Sequence, residues 1–224
     1  MMLARAVREL AHGRPVLLYD MDGREQETDM VIGAQFASPE AVATLRTEAG
    51  GLICVAIPSW AAERLGLPFL SEILKSCDSP TVRKLCSGEI PYGDLPAFSL
   101  TVNHRETYTG ITDRDRSRTI TELARLVDEM SRDPSGDWGS VFANRFRSPG
   151  HVHILIASPL ERRRGHTELS LRLAEMAGIT PATVVCEMLD LKSHAALSRE
   201  QAEIYAKRHG LVLVDGEDVV SGAV

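Results

Sequence analysis

Three carboxylates and a guanidinium crowd a short charged stretch near the amino terminus. Glu25, Glu27 and Asp29 occupy alternate positions, and Arg24 comes directly before them. On an extended chain, alternate side chains project to the same side, so these carboxylates would converge. Carboxylate oxygens bind a hard cation such as magnesium, and a guanidinium suits a phosphorylated ligand. From these residues alone, a solvated hairpin edge is an equally good interpretation.

A basic segment before a predicted helix is a second candidate. Arg162, Arg163 and Arg164 precede Gly165, and His166-Thr167 follows. Arginines beside the exposed amides of a helix start suit a phosphate, and glycine permits close backbone approach. A neutral histidine in this position could also bind a metal. Taken alone, the segment is more typical of a basic loop with a capping threonine.

Three single residues complete the candidates. His151 follows the predicted turn Ser148-Pro149-Gly150 at the start of a strand, where it suits acid–base work. Glu187 interrupts an apolar run, so it needs either a buried ion-pair partner or a function. Cys54 lies in another apolar run, which favours a place in the core over one facing a site. The charged segment 109–116 is a further candidate, and a loop whose charges pair with one another is an equally good interpretation.

Apolar runs and capping residues predict alternating strands and helices. Strands are expected at residues 15–19, 52–57, 98–102, 151–157, 183–189 and 211–214. Helices are expected before Gly13, from Ser38, from Ser59, from Thr119 in a capping box with Glu122, from Thr167 and over 198–209. Prolines and weak periodicity predict an irregular or mobile segment over 67–96, and 132–139 reads as a polar loop. The mixture predicts one layered α/β domain.

Composition narrows the class of protein. A chain of 224 residues is long enough to bury a substantial core. The net charge of -6 argues against a general nucleic-acid binder but allows an anionic small molecule. The four cysteines have no zinc-site spacing, and neither a signal peptide nor a membrane-length apolar run is present. We therefore expect a soluble cytoplasmic protein.

Taken in order, the charged and apolar motifs resemble those of the 3,4-dihydroxy-2-butanone 4-phosphate synthase family, most closely its archaeal-type branch. The matching motifs are Arg24 to Asp29, Gly51 to Ala56, Thr109 to Thr112 with Asp115-Arg116, Pro149 to Val152, Gly165 to Glu168, and Val185 to Met188. The resemblance implies a compact α/β (α+β) domain with a mixed β-sheet flanked by helices. It also implies a homodimer with active sites at the interface. The implied reaction converts D-ribulose 5-phosphate into L-3,4-dihydroxy-2-butanone 4-phosphate and formate, with magnesium or manganese.

Residue roles follow from the same resemblance. Glu25 and His166 match the metal ligands. Substrate contacts are expected from Arg24, Glu25, Asp29, Cys54, Thr112, Arg163, Arg164, Gly165, His166 and Thr167. The proton-handling set is expected to be Glu27, Asp29, His151 and Glu187. The chain differs from many bacterial members at Gln26, at Thr28 and over residues 91–96. These differences affect expected loop contacts, and both expected metal ligands are retained.

The resemblance runs from about residue 3 to 215, so residues 1–224 are expected to form a single synthase domain. The C-terminal GTP cyclohydrolase II domain of some relatives is not expected. Two other functions use the same residue types. A metal-dependent sugar-phosphate isomerase or epimerase would release no formate, and a non-catalytic phosphosugar-binding protein would show no turnover.

Overall fold

A seven-stranded mixed β-sheet organises the part of the chain that the computed structural model describes, residues 1–86, 93 and 95–222. Its strands lie in the order β4-β5-β3-β6-β2-β1-β7. The strands are β1 Val16–Tyr19, β2 Thr28–Gly33, β3 Cys54–Ile57, β4 Phe98–His104, β5 Phe146–Ile156, β6 Thr183–Glu187 and β7 Leu213–Asp215. The β1–β7 and β3–β5 pairs are parallel, and the other neighbouring pairs are antiparallel.

Ten α-helices accompany the sheet in the described residues. They are α1 Met2–Ala11, α2 Pro39–Thr44, α3 Ser59–Leu65, α4 Leu70–Ser76, α5 Pro80–Leu85, α6 Asp113–Arg132, α7 Trp138–Arg145, α8 His166–Met176, α9 Arg199–His209 and α10 Gly216–Ser221. A 3-10 turn covers Ala34–Phe36 and a π-helical turn covers Leu45–Ala49. No helix in the described ranges has both the length and the apolar character needed to cross a membrane.

Helices cover both faces of the sheet, which explains its continuous apolar strands. All residues of β1, β2 and β3 are buried, as expected for strands with no solvent-facing side. Successive residues of β1 point to opposite faces: Leu17 packs in the core beneath α6, and Leu18 packs in the core beneath α1 and α8. The predicted α/β domain with a mixed sheet flanked by helices is thereby confirmed.

The start of α6 corrects the sequence prediction. We expected this helix to begin at Thr119, but it begins at Asp113, and Thr112 is its capping residue. The Thr112 hydroxyl accepts the backbone N–H of Asp115 at 3.1 Å, and acidic residues in the first turn suit the positive end of the helix dipole. Thr119 instead accepts the N–H of His104 at 3.0 Å and so ties α6 to β4.

Three other segments differ from expectation. The predicted irregular region 67–96 contains α4 and α5, whereas its residues 87–92 and 94 lie outside the described part. The polar loop shrinks to 133–137 because α7 follows it. The turn expected at Ser148-Pro149-Gly150 lies within β5, where the pairing with β4 shifts register. A Cβ at Gly150 would lie 2.0 Å from the carbonyl carbon of Val102, so glycine permits this close strand approach.

Candidate active site

A cleft of about 470 Å³ gathers the charged motifs at one place. Its floor includes Asp29 and Glu187, which are paired across β2 and β6. The β1–β2 connection, the start of β4 and the amino-terminal end of α8 form its sides. The full lining in the described residues is Arg24, Glu25, Glu27, Asp29, Pro96, Ala97, Phe98, Leu155, Arg163, His166, Thr167, Val185 and Glu187.

Asp20 shapes the wall that carries the first carboxylates. It follows β1 directly and is completely buried. Its carboxylate accepts the backbone N–H groups of Glu25 at 3.0 Å and Glu27 at 3.1 Å. It also accepts from the Arg24 guanidinium at 3.2 Å. These bonds gather the connection into a tight loop, in which Gln26 has a φ of 59°.

This loop corrects the reason given for the convergence of the acids. Residues 24–27 are not extended, and β2 begins only at Thr28. Glu25, Glu27 and Asp29 all line the cleft nevertheless, because the loop folds around Asp20. Sequence reasoning missed Asp20. The available signal was an acidic residue at the end of a wholly apolar strand, where burial is costly unless the charge is satisfied.

One histidine lies among these carboxylates. His166 Nδ1 is 3.3 Å from Glu25 Oε2, and His166 Nε2 is 3.6 Å from Asp29 Oδ1. Ligand atoms of Asp20, Glu25 and His166 all lie within 4.8 Å of one another. Asp29 Oδ1 is buried and has no hydrogen-bond partner within the described ranges. An orphaned buried carboxylate oxygen beside such a cluster fits a divalent cation.

Burial and the charges of neighbouring groups change the pKa values of the acids in the cleft. Burial raises the pKa of Asp29 to about 7. The charge of His166 acts to lower this pKa, whereas the negative charges of Glu187 and Glu27 act to raise it. Burial and the charge of Glu25 also raise the pKa of Glu27. By contrast, burial would raise the pKa of Glu25, but hydrogen bonding to His166 and the nearby Arg24 guanidinium bring it to about 2. The cleft therefore carries carboxylates of widely separated acidity.

Glu168 holds the basic segment against the amino-terminal end of α8. This buried carboxylate accepts the N–H of Ser158 at 2.9 Å and that of Gly165 at 3.1 Å. It also accepts from Arg163 Nη1 at 2.6 Å. A Cβ at Gly165 would lie 2.6 Å from Arg163 Nη1 and 2.7 Å from Arg24 Nη2, so two guanidinium groups converge on this backbone. That convergence at a helix start suits a phosphate.

Glu187 is held by the turn before β3. Its Oε2 accepts the N–H of Leu52 at 2.7 Å. A Cβ at Gly51 would lie 2.5 Å from the same oxygen, so the glycine leaves room for the carboxylate. The sequence had left a buried ion pair as an alternative for Glu187. In the described part of the chain, its carboxylate instead accepts a backbone N–H.

Comparison with known proteins decides the family. The model of the family described as 3,4-dihydroxy-2-butanone 4-phosphate synthase matches residues 4–221. The chain belongs to this family.

Similar synthases are found among archaea. The chain is 43% identical over 223 residues to the 3,4-dihydroxy-2-butanone 4-phosphate synthase of Methanothermobacter thermautotrophicus, covering 98% of this chain and 94% of the relative. It is 46% identical over 220 residues to that of Archaeoglobus fulgidus, covering 96% and 91%. A crystal structure of a synthase in complex with two magnesium ions has 25% identity and a TM-score of 0.76, covering 98% of this chain and 95% of that one.

Most, but not all, of the residues assigned from the synthase motifs meet in the cleft. Those that line it are Arg24, Glu25, Glu27, Asp29, Arg163, His166, Thr167 and Glu187. The described lining leaves out Cys54, Thr112, His151, Arg164 and Gly165. Of these, Cys54 is buried, and burial together with the charge of Glu187 raises its pKa well above the usual value. Thr112 caps α6, and His151 is exposed on β5.

Proposed function

We propose that the chain converts D-ribulose 5-phosphate into L-3,4-dihydroxy-2-butanone 4-phosphate and formate, a step of riboflavin biosynthesis. One observation carries the proposal: a carboxylate–histidine cluster suited to a cation shares a cleft with two converging guanidinium groups. A phosphorylated polyhydroxy ketone fits both features. Its hydroxyl and carbonyl oxygens would bind the cation, and its phosphate would bind the guanidinium groups. The two products together contain all the atoms of the substrate, so no oxidant or second substrate is needed.

Glu25 and His166 are assigned as ligands of a divalent cation, magnesium or manganese. Glu25 brings a carboxylate that remains charged at neutral pH because its pKa is lowered to about 2. His166 brings a ring nitrogen at the first position of α8. When bound, the cation supplies positive charge that stabilises the negative charge developing on substrate oxygens. Asp20 then acts chiefly through the backbone of Glu25, which it holds in place.

The remaining polar residues have two tasks. Arg24 and Arg163, with Thr167 in the first turn of α8, bind the phosphate and fix the substrate along the cleft. Asp29, whose pKa burial raises, is assigned to one of the proton transfers. Glu27, Glu187 and His151 are assigned to the other proton transfers that dehydration, skeletal rearrangement and formate release require.

We infer that His151 completes the cleft of a second copy in a homodimer. His151 is exposed and outside the described lining of its own cleft. Two apolar side chains in the neighbouring loop, Tyr108 and Ile111, are 93% and 51% exposed. Apolar surface beside an assigned catalytic residue suits contact with another subunit. In a two-fold dimer, each site would then draw residues from both chains.

Mixing two inactive variants should restore activity if the site is shared. In a dimer of Glu25→Gln with His151→Ala, one site would carry both changes and the other neither. Random mixing of subunits by refolding together should therefore recover about a quarter of the wild-type rate. Each variant refolded alone is the control. No recovery, with mixed dimers verified by mass spectrometry, would contradict the shared site.

Magnesium binding should tighten as the pH rises. Burial alone would lower the pKa of His166, but the surrounding carboxylates outweigh it and raise the pKa to about 9. Because the ring binds a cation only after losing its proton, the cation competes with that proton below about pH 9. Apparent affinity should rise by up to about tenfold per pH unit between pH 7 and 9. Calorimetry in buffers of different ionisation enthalpy measures both affinity and released protons.

His166→Gln is the matched variant for this titration. It should bind magnesium more weakly, and its affinity should vary less with pH. A wild-type affinity that stays constant from about pH 7 to 9, with no proton released, would show that His166 is not a ligand.

A coupled assay tests the proposed reaction. Purified protein, D-ribulose 5-phosphate and magnesium should produce formate, followed as NADH formed by formate dehydrogenase. Removing the divalent cation with a chelator should stop it. Turnover of the substrate without formate would favour a sugar-phosphate isomerase or epimerase, and binding without turnover would favour a phosphosugar-binding protein.

A further inference from the structure

The side chain of Asn103 on β4 is fixed against His151. Asn103 is 3% exposed, and its Oδ1 accepts the backbone N–H of His151 at 2.9 Å. A backbone N–H requires an acceptor, so this contact identifies the oxygen of the carboxamide and fixes its orientation. The two residues are separated by 48 positions in sequence and meet because β4 pairs with β5.

The carboxamide nitrogen therefore faces the imidazole ring. Asn103 Nδ2 lies 3.1 Å from His151 Nδ1 and 3.5 Å from the carbonyl oxygen of Thr109. An amide NH₂ group can only donate, so a neutral ring receiving this bond must accept at Nδ1. Its proton is then on Nε2. Oδ1 is 3.3 Å from the same Nδ1 and would accept from a ring protonated there, but this contact is longer and Oδ1 already accepts the His151 backbone N–H, so the geometry favours the Nε2–H tautomer.

The carboxamide of Asn103 is closely packed, and its bond to the His151 backbone N–H sets its orientation. A Cβ at Gly110 would lie 2.0 Å from Asn103 Nδ2 and 2.5 Å from Oδ1, so the 105–112 loop packs directly on this side chain. Gly150 permits an equally close approach at the backbone of Asn103, where a Cβ would lie 2.3 Å from the amide nitrogen. Gly110 thus packs on the side chain of Asn103, and Gly150 packs on its backbone. In the described part of the chain, His151 Nε2 makes no hydrogen bond, so this nitrogen is available to a substrate.

We propose that Asn103 is a positioning residue that fixes the Nε2–H tautomer of His151 and so presents the ring to the substrate as a proton donor. The inference rests on the proposed function, because it gives His151 an acid–base role. It adds that the ring enters the reaction with its proton already on the substrate-facing nitrogen. A wrong tautomer is costly in general, because the reacting nitrogen then lacks the proton that it must transfer.

The variant Asn103→Asp tests whether Asn103 fixes the His151 tautomer or only fills space beside the ring. The carboxylate has nearly the same shape and can still accept the His151 backbone N–H. It can only accept from the ring, so it should move the proton of the neutral ring to Nδ1. We expect kcat to fall about 10- to 100-fold, with KM changed by less than about twofold. Asn103→Ala, which removes the partner altogether, should give a mixture of tautomers.

Nitrogen-15 NMR of the histidine rings reads the tautomer independently of activity. The protein has seven histidines, and the His151 signals are assigned by their loss in His151→Gln. The matched control is Ser99→Ala, which removes a different buried hydrogen bond of β4, from Ser99 Oγ to the Pro68 carbonyl at 2.7 Å. This control should leave both the tautomer and kcat at their wild-type values.

Wild-type His151 protonated on Nε2, shifted to Nδ1 in Asn103→Asp together with the loss of kcat, supports the proposal. Wild-type His151 protonated on Nδ1 would overturn it, as would a shifted tautomer with kcat unchanged. A wild-type protein that releases no formate would contradict the proposed function instead. In that case the NMR comparison still tests whether Asn103 fixes the tautomer of His151.

Discussion

Replacing Glu25 by glutamine should reduce formate release roughly a thousand-fold, because it removes the anionic ligand of the cation that stabilises developing charge. The amide is nearly the same size, so the loop gathered by Asp20 should keep its shape. It cannot supply the negative charge that now faces His166 Nδ1 at 3.3 Å. Calorimetry should accordingly find weakened magnesium binding, and circular dichroism should find an unchanged fold.

Glu175→Gln is a matched control for this experiment. Glu175 lies on α8, the helix that begins with His166, but it is exposed and pairs only with Arg172 in the described contacts. Exposed pairs of this kind contribute little to stability. The control should keep wild-type turnover and magnesium affinity. Near-normal turnover in Glu25→Gln itself would show that the ligand assignment is wrong.

Replacing Glu187 by glutamine should lower kcat by about a hundred- to ten-thousand-fold, the range expected for loss of an acid–base group. The glutamine amide oxygen can still accept the N–H of Leu52, so the turn before β3 should be retained. Magnesium affinity should remain close to that of the wild type, because Glu187 is not assigned as a ligand. The two variants therefore separate the metal site from proton transfer.

Single-turnover measurements with bound magnesium check this second result. Glu203→Gln, a change of a partly exposed acid on α9 that pairs with Arg199, controls for the loss of one negative charge. Should Glu187→Gln retain more than about a tenth of the wild-type rate, Glu187 would not be an acid–base group. A large fall in magnesium affinity would instead point to a role at the cation.

The sequence was sufficient for the parts of the fold that depend on neighbouring residues. Apolar runs located six of the seven described strands, because helices cover both faces of the sheet, but β2 was not among the predicted strands. Ser38 and Ser198 were identified as helix caps, and both accept a backbone N–H within their first turn. The start of α6 was misplaced because Thr112 and Thr119 both have the residue type of a cap. In the structure Thr112 accepts the N–H of Asp115 as the cap, whereas Thr119 accepts the N–H of His104 on β4.

The site residues that lie in contiguous sequence motifs were predicted. Arg24 to Asp29, Arg163 to Thr167 and Glu187 were all singled out, and all three contribute to the cleft. Asp20 and Asn103 were missed because each acts through residues that the fold brings to it. Asp20 collects the amides of a loop whose path is not apparent from alternating charges. Asn103 depends on the register between β4 and β5, which composition and periodicity do not determine.

The most direct test of the account is carbon-13 NMR of uniformly labelled D-ribulose 5-phosphate incubated with the purified protein and magnesium. We expect formate to appear together with a four-carbon phosphoketone, to be lost with a chelator, and to return when magnesium is restored. A rearranged five-carbon sugar phosphate without formate, or substrate left unchanged with every divalent metal tried, would contradict it.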